Sequence, residues 1–175
     1  MVNPCLVWTA YFAPLVACIL ITFFFLKSKN LSSLTAIAGI LTSFICTLLT
    51  AAQIFHSHPP VEFQQSISWI KFDSLTIDFG FLVNPLAIMM MLVVTGVGSA
   101  IFIYSRGYMA DDPSMPRFFA FLSLFAFSMI GIVLANNFIQ LFIFWELVGL
   151  SSYLLIGFWY EKPSAANAGF KAFMV

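Results

Sequence analysis

The sequence predicts an all-α polytopic membrane protein: about five spanning helices, the start of a sixth, and a small β-hairpin in an outer loop. Three observations lead there. Of the 175 residues 62% are hydrophobic and only 8% are charged, too few charges to build a water-soluble surface of ordinary density. Five apolar runs each reach the roughly 20 residues that a helix needs to cross a bilayer. Between the second and third runs, a polar stretch alternates apolar and polar residues at the period of a strand.

The five runs fall at about 5–26, 31–55, 81–104, 118–135 and 137–160. The first is not expected to be a cleaved leader, because Lys27 and Lys29 follow the apolar run instead of preceding it and no A-x-A site appears. The fourth and fifth are parted only by Asn136-Asn137, a plausible tight turn between antiparallel helices. In the outer loop, "HSHPP" forms a turn before "SISWIKFDSLTIDFGF", where Ile67, Trp69, Leu75, Ile77, Phe79 and Phe81 alternate around Asp73-Ser74. That pattern predicts the hairpin. After Tyr160, "EKPSAANAGFKAFMV" begins a helix with Pro163 in its first turn, and its apolar pattern is still running at Val175, which reads as an interruption. The expected organisation is therefore 1–55 for two helices, 56–80 for the outer loop, 81–160 for three helices and 161–175 for the loop and incomplete helix.

Basic residues set the expected orientation. Lys27, Lys29, Arg106, Arg117 and Lys162 all fall in loops on one side, which the positive-inside rule assigns to the cytoplasm or matrix. The amino terminus then faces outside. With seven basic residues against seven acidic ones and no basic patch, nothing suits a run of nucleic-acid phosphates. Cys5, Cys18 and Cys46 share no close spacing and suggest neither a disulfide framework nor a metal knuckle. His56 and His58 lack a third ligand nearby and read as a solvated loop. "TGVGSA" at 95–100 lacks the third glycine of a dinucleotide fingerprint and lies inside a span, so close helix packing is its expected role. No P-loop, redox-centre spacing or hydrolytic triad is present.

The candidate site is Glu146, the one charged residue within "LFIFWELVGLSSYLLIGFWY". It stands about nine residues, or roughly 14 Å, into its span, near the bilayer midplane. Insertion there costs about 2.5–3.5 kcal/mol, relieved by neutralisation or by a partner. At 100° per residue, Gly149, Tyr153 and Gly157 share its face, a small and polar one that lets a neighbouring helix approach closely. The residues leave two roles open: an inert carboxyl that locks the bundle, and a carboxyl that loads and releases protons as its partner approaches or leaves. Arg106, Arg117, Lys162 and Lys171 are not at midplane depth, so the partner is expected outside this chain.

The stretch "RFFAFLSLFAFSMIGIVLANNFIQLFIFWELVGLSSYLLIGFWYEKPSAANAGFKAFMV" closely resembles the amino-terminal part of subunit L of bacterial NADH-quinone oxidoreductase, the homologue of mitochondrial NADH dehydrogenase subunit 5. "VTGVG" at 94–98, "YSRGYM" at 104–109 and "NPL" at 84–86, where family members usually carry Asp-Pro-Leu, support it. The resemblance implies a membrane-arm subunit of respiratory complex I that contributes to redox-driven proton translocation, an enzyme as part of the complex. It implies partners among the other membrane-arm subunits in a lipid bilayer, that of a bacterial inner membrane or of an organelle. No cofactor is expected in this chain; NADH, FMN, iron-sulfur clusters and quinone are implied elsewhere in the complex. Glu146 matches the family's glutamate on the fifth helix, understood to modulate a lysine on a later, broken helix. That lysine is absent here, which leaves a fragment, a truncated remnant, or one half of a split subunit completed by a second polypeptide. A multisubunit cation/proton antiporter is the alternative family member.

Overall fold

The chain is described by a computed structural model over residues 3–55, 62–72 and 75–174. His56, His58, Asp73 and Ser74 lie outside the described residues. Among the described residues nine elements follow in order: α1 (Pro4–Leu20), a π-helical turn (Ile21–Phe25), α2 (Lys29–Phe55), β1 (Phe63–Phe72), β2 (Leu75–Val83), α3 (Pro85–Tyr108), α4 (Met115–Leu134), α5 (Phe138–Ile156) and α6 (Pro163–Met174). Five helical stretches, α1 with its π turn and then α2 to α5, are long and apolar enough to cross a membrane.

Helix starts are set by side chains that satisfy otherwise unpaired backbone N–H groups. Asn3, Asn84 and Asn137 cap α1, α3 and α5, each accepting from a backbone N–H of the first turn, and Pro follows at once in α1 and α3. Asn84 also corrects the expected start of the third span. Phe81 to Val83 complete strand β2, and the helix begins at Pro85 and runs on to Tyr108, four residues later at each end than the apolar run suggested. Likewise α5 stops at Ile156, with Gly157 as its C-cap. The Asn136-Asn137 break is present, but as a cap: Asn137 is extended and its side chain accepts from the Gln140 N–H at 2.8 Å.

Inside α1, Pro14 removes the N–H that would bond to the Ala10 carbonyl. The Ser43 hydroxyl of α2 donates to that carbonyl at 2.6 Å, so a cross-helix bond replaces the missing one. The two helices approach closely where Gly39 meets Ala17: a Cβ on Gly39 would lie 2.8 Å from the Ala17 Cβ. "TGVGSA" is likewise a packing surface. Gly96 sits under the Phe44 ring and Gly98 against Ile40.

The core divides along the bundle axis. One cluster gathers Val7, Tyr11, Ile54, Phe81, Val83, Met91, Phe127, Ile130 and Phe144 at the hairpin end; the other gathers Ile21, Ile40, Phe102, Met115, Phe119 and Phe158 at the opposite end. Helix α4 is central, touching α1, α2, α3 and α5, whereas α5 leans chiefly on α4 and α6. The consequence is a difference in burial, 12 of the 20 residues of α4 against 3 of the 19 of α5. The hairpin is antiparallel with a bulge between Ser68 and Ile70, which breaks the alternation of the first strand. Phe81 and Val83 enter the core, while Ile67 and Trp69 are both 59% exposed.

Candidate functional site

Glu146 is the ninth of the nineteen residues of α5, and no other charged residue lies in the interior of any of the five spans. Gln140, Phe144 and Ser151 are the buried residues of α5, a stripe spaced four and seven residues apart that faces α4. Glu146 stands about 140° around the helix from the centre of that stripe. It is exposed, and among the described residues it forms no hydrogen bond or ion pair. Arg106, Arg117, Lys162 and Lys171 do not reach it. Beside it, a Cβ on Gly149 would meet nothing within 4 Å.

The lower half of the same face is covered by this chain's own α6. Gly169 of α6 lies so close to Gly157 that an added Cβ would be 3.2 Å from the Gly157 Cα, and the Tyr153 and Phe173 rings meet at 5.6 Å. The small residues at 157 and 169 are what allow that approach. Tyr153 and Gly157 are thus partnered within the chain, and the open part of the face is reduced to Glu146 and Gly149.

Helix α5 is secured at both ends by polar contacts that the sequence reading did not single out. At the hairpin end, Gln140, 3% exposed, forms two bonds with Gly80 of β2: its Nε2 donates to the Gly80 carbonyl at 2.8 Å and its Oε1 accepts the Gly80 N–H at 3.2 Å. The side-chain amide thereby continues the sheet as a strand neighbour would. Asn137 Nδ2 donates to the Asp78 carbonyl at 2.6 Å. Gly80 admits this arrangement because a Cβ there would run into the Gln65 carbonyl and lie 2.7 Å from the Ser66 Cα. A lone carboxamide in the first turn of an apolar span was the signal available for Gln140.

At the opposite end, Asp112 of the α3–α4 loop accepts from Trp159 Nε1 at 2.9 Å and from the Ser114 N–H at 2.7 Å. These bonds, the Trp159 one foremost, hold its carboxyl below the ordinary aspartate value. Arg117 Nη2 donates to the Phe158 carbonyl at 3.3 Å, and its guanidinium lies over the Phe158 and Tyr160 rings at 5.0 and 5.2 Å. Lys29 Nζ donates to the Ala110 carbonyl at 3.2 Å. The predicted basic loops are therefore gathered at one end of the bundle, away from the hairpin. Among the described residues no three His, Cys, Asp or Glu side chains come together to hold a metal ion.

A bundle of membrane-length helices with an edge hairpin and one carboxyl at mid-span on its open side defines a polytopic membrane protein with an intramembrane ionisable group. Residues 69–119 match the family model for the amino terminus of chain 5 of NADH-ubiquinone oxidoreductase (complex I). Residues 135–175 match the model for the transmembrane region of NADH:quinone oxidoreductases and Mrp antiporters. The chain belongs to this family of membrane subunits, of which it matches the amino-terminal portion. It is similar to NAD(P)H-quinone oxidoreductase subunit 5 of the Anthoceros angustus chloroplast, with 45% identity over 95% of the chain and 24% of that relative. With NADH-quinone oxidoreductase subunit L of Mycobacterium tuberculosis it shares 53% identity over 64% of the chain and 18% of that relative. The chain thus spans under a quarter of the length of these curated relatives. Among solved structures, the membrane-bound sulfane sulfur reductase, an archaeal respiratory membrane complex, superposes with a TM-score of 0.79 at 15% identity, over 96% of this chain and 33% of that one. That likeness is one of fold.

Proposed function

We propose that the chain forms the amino-terminal part of a membrane-arm subunit of NADH-quinone oxidoreductase, in which Glu146 is a proton-relay carboxylate. The observation that carries this reading is the place of Glu146: mid-span, on a side of α5 that the chain leaves exposed, within a segment that matches the oxidoreductase and antiporter family. A carboxyl at that depth is stable when a cation approaches it or when it takes up a proton. An approaching cation lowers the proton affinity of the carboxyl, and its withdrawal raises it. A partner ammonium on a helix docked at Gly149 would therefore drive loading and release. In this reading NADH, FMN, iron-sulfur clusters and quinone act elsewhere in the assembly, and the partners are other membrane-arm subunits. The membrane is a bacterial inner membrane, with the hairpin outside and the basic loops inside.

The test is Glu146→Gln in the assembled enzyme in its own membranes, with proton translocation measured against quinone reduction. The amide keeps the shape and removes the titration, so proton transfer per electron falls at least about tenfold while the variant still assembles. Unchanged translocation in the assembled variant overturns the role. The second model matched also covers Mrp antiporters, which supports one further reading, a subunit of a multisubunit cation/proton antiporter. Copurification with flavin and iron-sulfur subunits decides for the oxidoreductase; sodium-dependent proton exchange without them decides for the antiporter.

A further inference from the structure

We propose that Gln140 and Asn137 are positioning residues, which tether α5 to the outer hairpin and so fix the depth and rotation at which the helix presents Glu146. Its effect on proton transfer rests on the reading of Glu146 given above; the geometric part does not. With only Gln140, Phe144 and Ser151 buried along its length, α5 has little interlocking packing to set its rotation. Apolar contacts are non-directional and tolerate sliding, whereas hydrogen bonds weaken steeply with misalignment. Three such bonds, two exchanged between Gln140 and Gly80 and one donated by Asn137 to the Asp78 carbonyl, sit in the first turn of α5. Six residues, about 9 Å along the axis, separate Gln140 from Glu146.

The strand end of the tether is itself fixed. Phe81 and Val83 are buried in the core, Trp8 of α1 donates to Gln65 of β1 at 3.2 Å, and the Trp8 ring meets Phe81 edge-on at 5.1 Å. One residue past Val83, Asn84 caps α3. The hairpin is thereby tied to α1 and α3, and through Gln140 it passes their position on to α5. A second register point, the Phe144 ring over Gly131 of α4, lies one turn further on. Rotating α5 to move Glu146 must break the amide pair with Gly80 or lift this ring.

The experiment places one spin label on the exposed Ser66 of β1 and one at position 146 through Glu146→Cys. It uses the full assembled protein, with Cys5, Cys18 and Cys46 replaced, and measures the distance between the labels. Gln140→Leu keeps the approximate volume but removes both bonds to Gly80. Asn137→Ser still caps α5 but is too short to reach the Asp78 carbonyl, and it serves if the first variant fails to assemble. Either tether variant is expected to shift or broaden the distance distribution relative to the parent. In unlabelled enzyme the same variants shift the pH at which proton translocation is half-maximal, with assembly retained. Gln140→Glu, whose protonated acid can both donate to and accept from Gly80, restores the parent distance at low pH and loses it as pH rises. An unchanged distribution in an assembled tether variant overturns the proposal. Normal pumping by Glu146→Gln, in contrast, overturns only the role of Glu146.

Discussion

Asp112 shows how a surface carboxylate can act as a latch. Its carboxylate ties Trp159, and with it the segment after α5, to the loop before α4. Because its proton affinity is lowered in the folded state, the contribution is fully present above the ordinary value of 3.8 and is lost as pH falls below it, through the folded value. Trp159 emission should therefore change in that acid window and stay flat from pH 5 to 8. Asp112→Asn, which mimics the protonated form, should show the acid-like spectrum already at neutral pH. The mid-span position of Glu146 was legible because a charge in an apolar span is anomalous by composition alone. Gln140 was not: an uncharged amide in a first turn is compatible with mere exposure, and its partner is 60 positions away.

At the scale of elements, the five apolar runs were legible because bilayer thickness sets their length, and α6 began at Pro163 as its first-turn proline indicated. Boundaries were less so. The apolar run of the third span starts inside β2, since a buried strand and a helix share the same hydrophobicity and only Asn84-Pro85 separates them. The alternation of β1 and β2 announced the hairpin, whereas the bulge next to Trp69 was not legible in it. Packing between elements yields a contrast that can be measured. An added Cβ at Gly131 would collide with the Phe144 ring, whereas one at Gly149 meets nothing. Gly131→Ala should therefore destabilise the α4–α5 contact by about 1–3 kcal/mol, read as a lower thermal midpoint of the chain in detergent. Gly149→Leu should leave that midpoint unchanged while lowering recovery of the assembled complex, if the open face is where the proposed partner helix docks.

For the whole molecule, the alternation of loops is reproduced by the structure. The hairpin, the start of α5 and the start of α1 share one end, and Lys29, Asp112, Arg117 and Trp159 share the other. What the sequence could not give was which side of α5 faces outward, because every face of that helix is apolar enough for lipid except the one holding Glu146. The match to 24% of a longer relative fits a bundle whose last span is its least buried.

If a helix outside the described residues is what covers Glu146, as proposed, the same carboxyl would also distinguish an unassembled chain from an assembled one. Until a covering helix arrives, the bilayer meets a carboxyl at its centre at a cost of about 2.5–3.5 kcal/mol, enough to favour tilting or partial withdrawal of α5. Membrane proteases would find that state in an orphan subunit and not in an assembled one. In cells that lack the remaining subunits, a pulse-chase should show the parent chain cleared several-fold faster than Glu146→Leu. In cells with the full complement, the two should have equal lifetimes. On that outcome the same carboxyl would report that the assembly is unfinished.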